Sequence, residues 1–235
     1  MTSKKESAKG TGICRETVRG IKDYGKCKDK LYFRLVNTEK SQELLEKAPH
    51  MEIMDLSMIC YVLIRHIKNG IASIPVTDSL VKNWGVPVRE IMAQAVRNAP
   101  KILPIKVGNM LSILKEASPT GDIELYGEED EKAGFFMMTN NLGIDGFGAV
   151  LYPGALKDFA DGMGKDFYVL PSSRHEALLL PVDGYVAADD LRCLVRSVNE
   201  TEVAEEDILS YHVYYYDRSK NELRVTGEDE LCVRL

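Results

Sequence analysis

DFYVLP at Asp166–Pro171 and EALLLPV at Glu176–Val182 are joined by Ser172-Ser173-Arg174-His175. Each flank is short, apolar and rich in aromatic or aliphatic residues, as a strand requires. The four-residue joint is too short for the crossover that parallel strands need, so the pair reads as an antiparallel hairpin.

The same pattern extends to either side. FFMMT (Phe135–Thr139) and FGAVLY (Phe147–Tyr152) flank the Gly/Asn/Asp-rich segment Asn140–Gly146 and read as a second hairpin. Pro153 opens a helix with Leu156, Phe159, Ala160 and Met163 on one face, ended by Gly164. Asp189 and Asp190 favour the start of another, whose face is Leu191, Leu194, Val195 and Val198. HVYYY (His212–Tyr216) and ELRV (Glu222–Val225) make a terminal hairpin around Arg218–Asn221.

Upstream, Leu31–Val36 reads as a strand and Thr38 as the N-cap of a short helix carrying Leu44 and Leu45, stopped at Pro49. Ile53–Ile64 is nearly all apolar and reads as one buried strand, paired through Asn69-Gly70 with Ile71–Val76. Thr77 caps a helix that ends at Trp84-Gly85. Pro87 opens the next, with Val88, Ile91, Met92, Ala95, Val96 and Ala99 on one stripe, stopped by Pro100 and Pro104. Asn109–Ala117 reads as one more short helix. Hairpins separated by amphipathic helices define an α+β fold with a largely antiparallel sheet.

The 235 residues hold 45% hydrophobic and 28% charged side chains and carry a net charge of −6. That composition excludes collagen, general disorder and a continuous coiled coil. Charge is uneven: residues 1–30 hold nine Lys/Arg against four acids, a net of +5, which leaves −11 on the remainder. Residues 1–21 therefore read as a flexible basic tail, 22–119 as an N-terminal α+β half, 120–133 as an acidic linker and 134–235 as a C-terminal α+β half. The two halves together also fit one compact domain. Five widely spaced cysteines (Cys14, Cys27, Cys60, Cys193, Cys232) lack the pairing of a disulfide framework or zinc ribbon and point to the cytoplasm. No run reaches the length of a membrane helix, and no apolar segment follows the basic start, so neither a membrane partner nor a signal peptide is expected.

The densest chemistry lies in Ser172, Ser173, His175 and Glu176. A hydroxyl, a base and an acid are the parts of nucleophilic catalysis. On an extended chain, however, Ser173 and His175 share a face that Glu176 does not, and no G-x-S-x-G elbow is present. The structural reading has the serines capping the turn and Glu176 pairing with an arginine. A ligand-binding reading joins the turn to the adjoining Asn140–Gly148 loop, with Asn140 and Asn141 as its contacts. A hydrolase reading needs Ser173 as nucleophile, His175 as base and a distant acid.

Other constellations are incomplete. His175 and Glu176, with His212 or Asp183, lack the second histidine of H-E-x-x-H, since Leu179 stands there. Gly146 and Gly148 lead into a strand and not into the helix of a phosphate cradle, so no cofactor is expected. Tyr211, Tyr214, Tyr215 and Tyr216 with Arg218 resemble a stacking platform, but Glu200–Glu206 make the neighbourhood acidic, which speaks against nucleic acid. Trp84 reads as a core plug, with a pocket lining or a partner anchor as its alternatives.

The strings KDKLYFRLVNTEKSQELLEKAPH (28–50), LYPGALKDFADGMGKDFYVLPSSRHEALLLP (151–181) and LRCLVRSVNETEVAEEDILS (191–210), followed by VYYYDR (213–218), resemble domain of unknown function 5688, a family of bacterial proteins common in Firmicutes. The likeness spans about Lys22 to Val225, and element order is distantly similar to domain of unknown function 1444. Members of the family carry a segment ahead of the part matching Lys22, for which only a short polar tail stands here. The resemblance implies a fold and no activity. The functional expectation is a non-catalytic binding or regulatory module, with Ser172, Ser173, His175, Glu176, Asn140 and Asn141 facing a small molecule or a protein; the alternative is a hydrolase using Ser173 and His175.

Overall fold

The computed structural model describes residues 20–68, 70–110, 134–227 and 232–235. The basic tail as far as residue 19, the acidic linker and most of the helix expected at Asn109–Ala117 lie outside them.

Two antiparallel sheets organise these residues. In the first, β1 (Leu31–Asn37) pairs with β3 (Leu56–Ile67) from Leu31↔Val62 to Asn37↔Leu56. The other edge of β3 carries β2 (His50–Ile53) and then β4 (Gly70–Pro75). The second has seven strands in the order β11-β10-β9-β7-β8-β6-β5. They are β5 (Ile105–Asn109), β6 (Phe136–Asn140), β7 (Phe167–Pro171), β8 (Ala177–Pro181), β9 (Tyr214–Asp217), β10 (Glu222–Val225) and β11 (Cys232–Arg234). Every pairing is antiparallel, as the hairpin reading of Asp166–Val182 requires.

Helices α1 (Tyr24–Cys27), α2 (Gln42–Leu45), α3 (Asp78–Trp84) and α4 (Val88–Ile102) accompany the first sheet. Helices α5 (Ala155–Met163) and α6 (Ala188–Thr201) accompany the second. The apolar stripe of α4 buries Ile91, Met92, Ala95 and Ala99 against β1 and β3. Period-two alternation decides the two faces of β7 and β8. Phe167, Val169, Ala177 and Leu179 enter the main core, whereas Leu170 and Leu180 pack with Leu191 and Val195 of α6. Each such buried aliphatic or aromatic side chain contributes about 1.5–3 kcal/mol. The main cluster joins side chains of both sheets, from Leu31 and Ile59 to Tyr214 and Leu223.

Several elements depart from their sequence reading. Ile53–Ile64 is not one strand: the chain reverses at Met54-Asp55, where Met54 adopts φ 58°. No Gly or Asn-Gly marks this turn; it is held by Asp55, whose carboxylate accepts from Ser210 Oγ (2.6 Å) and Tyr214 OH (2.7 Å). Phe147–Tyr152 is not a strand but a buried 3-10 turn, Gly146–Leu151, because β5 and β8 already occupy both edges of β6. Strand β5 was not anticipated. Pro100 does not stop α4; it sits in the last turn, where the helix runs on to Ile102. Thr38 caps no helix: its hydroxyl meets Ser57 Oγ at 3.0 Å, and α2 starts after Ser41. Trp84 packs on the core beside Tyr24 and donates Nε1–H to Ile21 O (2.9 Å).

Candidate functional site

The β7–β8 turn folds against the loop that follows β6, so the two segments singled out in the sequence meet. Ser173 is buried and accepts the His175 backbone N–H at 3.0 Å. Ser173 Oγ and Ser172 Oγ donate to Glu176 Oε1 at 3.1 and 3.3 Å. Glu176 therefore lies beside the serines and pairs with no arginine among the described residues. The segment is a tight turn and not extended chain, which brings residues three and four apart together. Asn140 is buried and consumed by its own loop: Nδ2 donates to Ile144 O (2.7 Å) and Oδ1 accepts from Leu142 N (2.9 Å). Asn141 is exposed.

His175 is held at both ring nitrogens. Nδ1 accepts the Asp145 backbone N–H (3.2 Å), which places the ring proton on Nε2, 3.2 Å from Asp207 Oδ1. A distant acid thus orients the imidazole, as a catalytic base would need. The other nitrogen faces a backbone amide, and Ser173 Oγ is bonded to Glu176 instead. His175 O accepts from Thr139 Oγ1 at 2.7 Å.

Asp145 and Arg174, which lie inside the loop and the turn that the sequence joins, meet Arg34, which the sequence does not connect to them. Asp145, in a left-handed conformation (φ 50°), lies 3.0 Å from Arg34 Nε through Oδ2 and 3.1 Å from Arg174 Nε through Oδ1. Arg34 comes from β1, reaches Tyr32 OH (2.6 Å) and Ser73 Oγ (2.7 Å), and lies 4.3 Å from the Tyr61 ring centroid. Burial pulls the Arg34 pKa down, but Asp145 and the two tyrosines outweigh it, and the net shift is upward. One carboxylate therefore ties the first sheet to both turns of the second.

Arg174 is less well satisfied. Its Nε is 3.1 Å from Asp145 Oδ1 and 3.4 Å from Asp207 Oδ1, near enough for charge attraction. Its N–H points at neither oxygen, and the atom is buried without a hydrogen bond among the described residues. Beside it opens a cleft of about 230 Å³ whose walls include Arg34, Lys40, Tyr61, Glu205 and Glu206. Among the described residues no three His, Cys, Asp or Glu side chains converge as a metal site. His212 lies apart, beside α6.

Arg34 and Asp207 carry no local motif; only the β1 register and the 3-10 turn Glu205–Asp207 bring them here. Asp145 was visible as a member of a Gly/Asn/Asp loop, without its partners.

A family model described as "Family of unknown function (DUF5688)" matches residues 6–218, beginning upstream of Lys22. No curated protein and no solved structure matches the chain.

Proposed function

We propose, for a chain that belongs to the family of unknown function DUF5688, a non-catalytic binding or regulatory role. The ligand is a small molecule with a carboxylate and an ammonium group, of amino-acid size, seated in the cleft beside the Ser172–Glu176 turn. The observation that carries this reading is Arg174, a partly exposed guanidinium at the cleft wall whose buried Nε–H makes no hydrogen bond among the described residues. Such a donor costs about 1–3 kcal/mol, and native proteins keep few of them. A ligand carboxylate can pair with the exposed part of the Arg174 guanidinium, with Lys40 adding charge, while Glu205 and Glu206 suit an ammonium. Asp145 fixes both arginines beforehand, so little ordering remains for binding to oppose. The unpaired Cys27, Cys60, Cys193 and Cys232 support a cytoplasmic setting. No helix among the described residues is long and apolar enough to cross a membrane.

The test is an NMR titration of the arginine Nε–H resonances with individual amino acids. The Arg174 signal should move and saturate, and Lys40→Gln should weaken the response. An Arg174 resonance that tracks the solvent-exposed arginines would remove the reading. Covalent labelling of Ser173 by a fluorophosphonate would replace it with the hydrolase alternative, for which the bond from His175 Nε2 to Asp207 is the favouring observation.

A further inference from the structure

A second recess, of about 470 Å³, lies between α6 and the chain around β9 and β10. Arg192 and Arg196 stand one helical turn apart on α6 and both line it, with Tyr211, His212 and Gly227 opposite. Arg192 is splinted: Nη1 donates to O (3.2 Å) and Oγ1 (3.0 Å) of Thr226, which also lines the recess, and Nη2 pairs with the exposed Asp189. Arg196 lies 5.8 Å from the Tyr211 ring centroid and is exposed. Among the described residues no carboxylate lines the recess. Two guanidinium groups and an imidazole are thus gathered on a chain whose net charge is −6.

We propose that this recess binds the phosphate group of a small phosphorylated molecule, at a site separate from the Arg174 cleft. Planar guanidinium forks match tetrahedral oxyanions by paired N–H···O bonds. Arg196 supplies the adaptable fork, and Arg192, held in place by Thr226 and Asp189, offers its remaining N–H donors from a fixed position. Tyr211 and the stem of Arg192 offer apolar surface to the remainder of the ligand, and the volume falls within the range of small-molecule pockets.

The test is an NMR titration of the full chain with inorganic phosphate at constant ionic strength, set against chloride. The Gly227 amide and the Arg192 and Arg196 Nε–H resonances should shift and saturate together. Arg196→Gln, a change at an exposed position, should weaken the apparent affinity by about tenfold or more, as expected for loss of a charge-assisted contact. Arg196→Lys should fall between the two, and Arg89→Gln on α4 should match the parent. Shifts that grow linearly without saturating, or an Arg196→Gln protein that binds phosphate like the parent, would overturn the inference. So would phosphate shifts confined to the Arg174 cleft, a result that leaves the amino-acid reading of that cleft to its own titration.

Discussion

Asp145 joins three separate parts of the chain through one side chain. Its two oxygens face Arg34 and Arg174, and its backbone N–H holds the His175 ring. Replacing one partner of a buried ion pair costs more than the pair contributes, because the stranded charge has no water to turn to. Asp145→Asn isolates that term, since asparagine also tolerates the left-handed backbone that the position demands. The expected loss is about 3 kcal/mol, the lower end for a broken buried pair, because 38% of the Arg174 side chain remains exposed. Urea unfolding of the two proteins measures it. A difference below about 1 kcal/mol, the size of a surface pair, would show that the arginines find other partners.

At the level of elements, the 3-10 turn Gly146–Leu151 decides how the two sheets approach. A Cβ on Gly146 would lie 2.1 Å from Thr139 Oγ1, 2.4 Å from His175 O and 2.9 Å from Asn140 N. Two of these atoms are backbone, so relief requires the β6 end and the β7–β8 turn to move apart. Gly148 is tight in the same sense, with the Phe33 ring at 3.3 Å. Gly146→Ala is therefore expected to destabilise by about 3 kcal/mol, the upper part of the range for overpacking a filled site. Gly143→Ala meets nothing within 4 Å and should cost only about 1 kcal/mol, for its left-handed backbone. Thermal unfolding of the two variants ranks them, and an equal loss would refute the close-packing argument.

The same element shows which features were legible in the chain. Hairpins marked by a four-residue joint, the stripe of α4 and the Thr77 and Gly85 caps of α3 follow from local chemistry, and the structure contains them. Gly146–Leu151 has the apolar composition of a strand, and only the occupied edges of β6 exclude it from the sheet. Met54-Asp55 turns because of contacts with Ser210 and Tyr214, more than 150 residues away. At the candidate site, the turn and the Asn140–Gly148 loop could be named from sequence. The residues that charge it, Arg34 and Asp207, come from elements whose placement is a tertiary outcome.

For the molecule as a whole, the shared core ties stability to alkaline pH. Burial pushes the Cys60 thiol up to about 12, and burial also raises Tyr32, Tyr61, Tyr152 and Tyr214, the last reinforced by the charge of Asp55. All five lie in the cluster that joins the two sheets. In the unfolded chain a thiol ionises near 8.5–9 and a tyrosine near 10. A raised folded pKa stabilises the native state fully below the unfolded value, and that contribution disappears as pH climbs through the folded one. The unfolded chain therefore gives up protons first, and each buried group withdraws about 1.4 kcal/mol of stability per pH unit within its window. Cys60 alone accounts for about 4 kcal/mol by pH 12, against a total of about 5–15 kcal/mol for a typical domain. The urea midpoint should thus stay flat between about pH 7 and 8.5 and fall steeply above about pH 9. In Cys60→Ala the decline should begin about one unit later, where the tyrosines take over. The tyrosinate absorbance of Tyr32, Tyr61, Tyr152 and Tyr214 should appear only with the loss of far-ultraviolet circular dichroism, in one transition for both sheets. Ionisation of Tyr32, Tyr61, Tyr152 and Tyr214 in a protein still folded would contradict the shared core, and two separate transitions would divide it between the halves.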